Sequence, residues 1–281
     1  MGLRIGIIGL GLMGGSLAYA LRGFRDATIV GTNRHAEVCQ AALASGAVDE
    51  ATTDTAAAIR GSDLVIFCIY ARQIPEILKQ HQHDFKLGAV VADIYGAKCD
   101  LNSRILSVLP PDVDYIGIHP MAGKERDGFA NADAAIFKDS GFVICPLPST
   151  SPESVELMRE LAAFVGATRV AVATPEKHDE IIAYTSDLTH IAAAALCLDY
   201  HPDMSSAYTA GAFRDCTRIA DINAPVWAEL LLDNSSNTVD YLDRYLCQLQ
   251  KVRRCLVEGD EAGLCQLLEQ AGENKREMLK R

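Results

Sequence analysis

The sequence predicts an α/β protein. A doubly wound, mostly parallel β-sheet is expected in residues 1–173, and an all-helical domain in residues 174–281. Three observations carry that prediction. Short apolar runs alternate with helical patterns through the first part of the chain, the βαβ rhythm of a parallel sheet. The runs are nearly continuous in apolar residues, as strands covered on both faces are. After Ala173, strand-like runs almost disappear.

Taken in order, the strand candidates are "RIGIIG", "TIVGTN", "LVIFCI", "AVVADI", "YIGIH" and "GFVICP". Segments such as "GGSLAYALRGF" and "HAEVCQAALASG" between them have helical spacing. The Pro/Ser loop "PLPSTSP" is a possible boundary, but the pattern continues once more through the amphipathic "ESVELMRELAAFVGA" and the strand "TRVAVAT". The boundary is therefore set near Ala173. Pro175 suits the first turn of a helix capped by Thr174. Three long helical stretches follow, beginning "PEKHDEIIAYTSDLTHIAAAALCL".

Composition limits the function. The chain is 49% apolar and 22% charged, as a well-buried globular protein is. Its net charge of −11 opposes non-specific nucleic-acid binding, so an anionic ligand needs a local cluster of positive groups. The nine cysteines form no CxxC pair and mostly lie in apolar stretches, which reads as thiols in a reducing cytoplasm. Met1 leads straight into "LRIGIIGLG" without a signal-peptide pattern, and no apolar run reaches the roughly 18 residues of a membrane span. The expectation is a cytoplasmic protein acting on a small molecule, with neither nucleic acid nor membrane as partner and no metal, since no ligand spacing appears.

"GLGLMG" follows the first strand and opens a helix. Gly9 makes the tight turn, Gly11 lets the backbone approach a pyrophosphate, and Gly14 allows helix to pack on strand. With Leu12 and Met13 they form a Rossmann-type dinucleotide loop whose free N–H groups face phosphate. The second strand ends in Asn33, where an NAD-binding chain carries an acidic residue about 20 residues past the loop. Asn33 does not repel a 2′-phosphate and Arg34 can pair with one, so NADP is expected over NAD. The alternative is that Arg34 is a solvated loop charge. His35 and Tyr70 complete the cofactor-binding set.

His119 ends the strand "YIGIH", at the end of the sheet where ligands of this fold bind. A histidine there suits a general base near neutral pH, or it is a structural group held by loop hydrogen bonds. Gly123 gives room, Lys124 and Arg126 can meet an anion, and Glu125 can orient a cation or close the site. On a regular helix Asp179, Ala183, Ser186 and His190 share one face, either a site wall or a set of backbone-bonded polar groups. Arg214 and Arg218 stand one turn apart beside Gly211, with Asp215 able to brace either. They suit a carboxylate or form ordinary surface ion pairs. Trp227 taken alone reads as core.

Four ordered blocks now stand out: "GLGLMGGS", "HPMAGKERDGF", "HDEIIAYTSDLTH" and "FRDCTRIADINAPVWAELLLDN". In these blocks the chain resembles the prephenate/arogenate dehydrogenase family over nearly its whole length; the second and fourth are specific to that family. The resemblance implies a homodimer joined through a helical dimerisation domain, with an active site between the two domains. It implies oxidative decarboxylation of prephenate or arogenate in tyrosine biosynthesis. His119 would be the catalytic histidine at the substrate's ring hydroxyl, Glu125 the acidic residue of the cleft, and His190 the histidine of the helical domain. Arg218 would hold a substrate carboxylate, with Arg214, Lys124, Ser186, Asp215, Trp227 and Gly211 around the substrate.

The chain also departs from the family. Many members carry "GSVK" where this chain has "YGAK", so Gly96 replaces a serine, and Tyr95 or a water is the candidate substitute. Asp187 and Thr189 replace a histidine and a proline, and Lys124 replaces a threonine. Two other readings stay open: a β-hydroxyacid or imine reductase of similar build, which typically uses a lysine on the first long helix, and a non-catalytic dinucleotide sensor.

Overall fold

The computed structural model describes residues 2–124, 126–199, 201 and 203–278. They form two compact units that divide after Asn234. The first holds an eight-stranded sheet: β1 (Arg4–Ile8), β2 (Thr28–Thr32), β3 (Glu50–Thr52), β4 (Leu64–Phe67), β5 (Val90–Asp93), β6 (Asp114–Met121), β7 (Gly141–Pro146) and β8 (Arg169–Val172). Their order is β3-β2-β1-β4-β5-β6-β7-β8. All pairs are parallel except β6 with β7. β3 has no counterpart among the predicted strands. It is three residues of "EAT" on the sheet edge, too short and polar to show a pattern.

The helices beside the sheet are α1 (Leu12–Ala20), α2 (Ala36–Ala44), α3 (Thr55–Ile59), α4 (Ile74–Gln80), α5 (Cys99–Leu106) and α6 (Pro152–Phe164). Apolar side chains fill both faces of the sheet. Ile5, Ile7, Leu17, Ile118 and Met158 lie in one layer, and Ile8, Val65, Phe67, Val91 and Leu101 in the other. Strand order reverses direction between β1 and β4, which opens a crevice at their carboxyl ends. Gly9 and Tyr70 stand on its two sides.

β6 continues past His119, which pairs with Val143, and the strand ends at Met121. The histidine is thus inside the strand and not its last residue. Pairing with antiparallel β7 extends β6 by two residues beyond where the apolar run stops.

Past β8 the chain is helical: α7 (Pro175–Ile182), α8 (Leu188–Leu198), α9 (Gly211–Thr217) and α10 (Ala224–Asp233). Thr174 accepts from the Lys177 amide with Pro175 at the first helical position, as the sequence predicts. A π-helical turn, Ala183–Asp187, joins α7 to α8. Its wider turn breaks the spacing assumed for the predicted polar face. His178, Asp179, Ala183 and Asp187 turn inward, while Ser186 and His190 are only half-buried.

The helical run Pro175–Leu198 is also 24 residues long and apolar enough to cross a membrane by length and composition. That corrects the expectation that no stretch is long enough, which counted only unbroken apolar runs. Within this run His178 and His190 hydrogen-bond to neighbouring residues of the same unit.

The second unit is a helical pair, α11 (Ser235–Glu258) and α12 (Glu261–Met278), joined through Gly259 at φ +64°. Leu246, Leu249, Leu256, Val257 and Leu268 are exposed on it.

The glycine loop tolerates no side chain at Gly14, where a Cβ would lie 2.0 Å from the Gly9 carbonyl oxygen. Because that neighbour is backbone, Gly14→Ala should push α1 off β1. Dinucleotide binding measured by fluorescence titration should be lost and the melting temperature lowered. Unchanged affinity would separate the loop from the cofactor.

Candidate active site

The loop after β1 fits a dinucleotide. Gly9 has φ +105°, and the space over the Gly11 Cα is open, with nothing within 4 Å of a Cβ built there. Leu12 and Met13 supply the first-turn N–H groups of α1. At the end of β2 the Asn33 amide donates to the Leu10 carbonyl (3.1 Å) and accepts from the His35 N–H (3.0 Å). It therefore ties the two loops together with a neutral side chain. Exposed Arg34 donates to the His35 ring (3.0 Å). Across the crevice the Tyr70 ring lies under the Arg72 guanidinium (5.5 Å), and the Arg72 N–H donates to Glu229 of α10 (2.8 Å).

The centre of the site is a buried polar network at the carboxyl ends of β5 and β6. Lys98, fully buried, donates to Asp93 Oδ1 (2.7 Å), the Asp93 carbonyl (3.3 Å) and the Ile118 carbonyl (2.8 Å). All three ammonium protons have acceptors. Gly117 makes room for the lysine stem, since a Cβ there would lie 3.0 Å from Lys98 Cδ. Asp93 also accepts from the Tyr95 N–H (2.8 Å) and the Tyr115 hydroxyl (2.6 Å). Burial, reinforced by Asp93, pushes the Tyr115 hydroxyl well above its ordinary range. The Tyr115 hydroxyl also lies 2.7 Å from the Asn102 amide. The contact is to Asn102 Oδ1 and leaves the buried Asn102 Nδ2 without a partner among the described residues; turning the amide over so that NH₂ faces the hydroxyl satisfies both groups while the Tyr115 proton stays on Asp93.

Beside this network, His119 and His178 are joined ring to ring, Nδ1 to Nε2, at 2.9 Å. His178 Nδ1 in turn meets Asp179 Oδ1 at 2.7 Å. Asp179 accepts the backbone N–H of Lys98 on Oδ1 and of Cys99 on Oδ2, both at 2.8 Å. Burial pulls the Asp179 carboxyl up, but the His178 ring and the two amides outweigh it and hold the group below its usual value. A carboxylate only accepts, so the His178 proton is on Nδ1, its Nε2 accepts from His119 Nδ1–H, and His119 keeps an acceptor lone pair on Nε2. Burial, the His178 ring and the Lys98 charge push His119 well below its ordinary value. Burial also lowers His178, partly offset by Asp179.

The helices complete the wall. His190 donates from Nδ1 to the Ser186 carbonyl (2.9 Å) and stacks on Trp227, ring centroids 3.7 Å apart. Trp227, half-buried, packs against the His190 ring. The Arg218–Ala220 turn packs against α8, which carries His190. Leu230 covers Gly96: a Cβ there would lie 2.7 Å from Leu230 Cδ1 and 3.6 Å from His119 Cε1. Tyr95 does not replace the missing serine, because its hydroxyl donates to Asp233 of α10 (3.0 Å).

The structure thus joins Ser186, His190 and Trp227 to one another, and sets His119 against His178 and beside Gly96. Gly211, Arg214 and Asp215 lie exposed on α9, and exposed Arg218 opens the turn that follows it. Lys124 pairs with Asp133 (3.0 Å). Glu125 lies outside the described residues. Sequence reading overlooked Lys98, His178 and Leu230. A charged Asp93 closing the run "AVVAD" was the signal for the network, whereas nothing in the order "EKHDE" says which group turns inward.

Two family models match the chain. "Prephenate dehydrogenase, nucleotide-binding domain" covers residues 17–171, and "Prephenate dehydrogenase, dimerization domain" covers residues 174–270. The chain belongs to the prephenate dehydrogenase family. Members similar to it include the prephenate dehydrogenase of Bacillus subtilis, 28% identical over 92% of this chain and 71% of that one. The cyclohexadienyl dehydrogenase of Zymomonas mobilis is also 28% identical, over 92% and 89% of the two chains. Among solved structures, prephenate dehydrogenase from A. aeolicus, in complex with hydroxyphenyl propionate and NAD+, superposes with a TM-score of 0.88. It shares 26% identity and covers 99% of each chain.

The two lowered histidines make stability depend on pH in this family member. Folded, both rings resist protonation; unfolded, they take protons below about pH 6.5. Their contribution is complete above that value and lost as pH falls through it. The urea midpoint should drop between about pH 7.5 and 5.5, and less so in His119→Asn. Equal slopes in the two proteins would show that these rings are not responsible.

Proposed function

We propose that this chain catalyses the oxidative decarboxylation of prephenate, or of its amino counterpart arogenate, in tyrosine biosynthesis. The observation that carries the reading is His119 Nε2. The neighbouring ring fixes it as an acceptor, in a family whose reaction begins by removing a proton from a ring hydroxyl. The dinucleotide, held by Gly9, Gly11 and Gly14 with Leu12 and Met13, supplies the hydride acceptor. His119 removes the hydroxyl proton as the substrate's C4 hydride leaves. Loss of the C1 carboxylate as carbon dioxide then makes the ring aromatic. Arg218, on a turn packed against α8, orients the substrate carboxylates, and His190 of α8 keeps one tautomer because Nδ1 donates to a carbonyl.

NADP is preferred over NAD in this reading. A neutral Asn33 and a nearby Arg34 at the end of β2 support it, since neither repels a 2′-phosphate. The exposed apolar side chains of α11 and α12 and the "dimerization domain" match support a homodimer through the helical part. Nine unpaired cysteines support a reducing, cytoplasmic setting.

The test is steady-state kinetics followed by nicotinamide absorbance, with prephenate and arogenate and both dinucleotides. One of the two substrates should turn over, with the higher kcat/KM for NADP. No turnover of either would overturn the activity, and a preference for NAD would overturn the cofactor reading. His119→Asn should lose about 10²–10⁴-fold in kcat with KM little changed. Arg218→Ala should raise KM strongly. A wild-type kcat in the first, or an unchanged KM in the second, would remove that residue from its role.

A further inference from the structure

We propose that His178 and Asp179 form, with His119, a three-member proton store: as His119 takes the substrate's hydroxyl proton on Nε2, its Nδ1 proton passes to His178 Nε2, and both shifts reverse later in the same turnover. The inference rests on the reaction proposed above and assigns work to two residues that reading does not use.

The geometry is a continuous chain of short contacts. His119 Nδ1 to His178 Nε2 is 2.9 Å, and His178 Nδ1 to Asp179 Oδ1 is 2.7 Å. His178 and Asp179 are 2% and 1% exposed, so the far end of the chain has no access to solvent. A proton passed on to His178 is therefore shielded from solvent.

The charged groups around the rings decide where it rests. Lys98, fixed on Asp93, faces both histidines, and Asp179 faces His178 alone. A doubly protonated His119 would be a cation on a half-buried ring, close to another cation. Moving its Nδ1 proton one ring further puts the positive charge against the Asp179 carboxylate, which two backbone amides hold in place. The low affinity of His119 for a second proton thereby ceases to obstruct the reaction.

The balance closes over one turnover. In the oxidation the substrate O–H bond breaks and an N–H bond forms at His119 Nε2. The His119 Nδ1–H bond breaks and a His178 Nε2–H bond forms, while the hydride carries its electron pair to the dinucleotide. When the C1–carboxylate bond breaks, its electron pair enters the ring and leaves a phenolate oxygen. That oxygen takes the proton back from His119 Nε2, and His178 returns its proton to His119 Nδ1. No proton is released or consumed overall, so a closed store suffices where a channel to solvent would otherwise be needed.

A purely structural role for His178 makes different predictions. Histidine labelled with ¹⁵N in the ligand-free protein should titrate as a pair: on acidification the added proton appears on His178 as well as His119, within one pH step. Asp179→Asn should move that step to lower pH. A proton confined to the His119 ring overturns the store, and this measurement needs no substrate. In single turnovers His178→Gln keeps an acceptor for His119 Nδ1 but cannot carry a proton onward. Its kcat should fall about tenfold or more with KM nearly unchanged. The curved dependence of rate on deuterium content, which marks two protons in motion, should become linear. A curved dependence with wild-type kcat in this variant overturns the proposal. Absence of turnover in the unaltered protein would instead count against the activity itself.

Discussion

Asp179 accepts two backbone amides from the start of α5 and one imidazole N–H from its own helix, and it is buried while doing so. A buried carboxylate with three donors is a rigid joint, because losing any donor leaves charge without solvent to replace it. The joint fastens α7 to the loop that follows β5. Through His178 it also fixes the rotation and tautomer of His119 on β6. The His119 ring is therefore set by a contact between the sheet and the first helix after it, and not by the loop that follows the ring in sequence.

Lys98 and Asp93 perform the same kind of work one layer deeper. The ammonium is entirely buried and donates to one carboxylate and two carbonyls, which bind the ends of β5 and β6 together. Such a pair is weak evidence of net stability, since desolvation opposes the Coulomb attraction. Its consequence for function is electrostatic. Burial, the His178 ring and this fixed positive charge together keep the His119 ring neutral, while the Asp93 carboxylate that could offset them is engaged by the lysine and by Tyr115.

Much of this was legible in the sequence because backbone geometry imposes residue types. Only glycine fits at Gly9 and Gly14, and Thr174–Pro175 marks the start of a helix by capping and fixed φ. Continuous apolar runs marked seven of the eight strands, and β3 escaped because three polar-flanked residues on an edge carry no period. The polar face of the first long helix was misjudged because a π turn obeys tertiary packing and not local propensity. It rotated Asp187 inward and left Ser186 at the margin. Lys98 was invisible for a related reason. A lysine becomes a buried structural cation only when several acceptors converge on it from distant segments, here Asp93 and Ile118.

The replacement of the family's common serine by Gly96 follows the same logic of shared space. Leu230 approaches so closely that any Cβ at residue 96 would collide with its methyl group. Restoring a serine would thus require the Leu230 side chain to turn away or shrink, or α10 to move. The hydroxyl of Tyr95 cannot compensate because Asp233, on the same helix, holds it. The glycine, the leucine and the tyrosine–aspartate bond are accordingly one arrangement, in which α10 sits tight against the β5 loop. In this chain Leu230 and the His119 ring therefore both border the space that a serine side chain at residue 96 would enter.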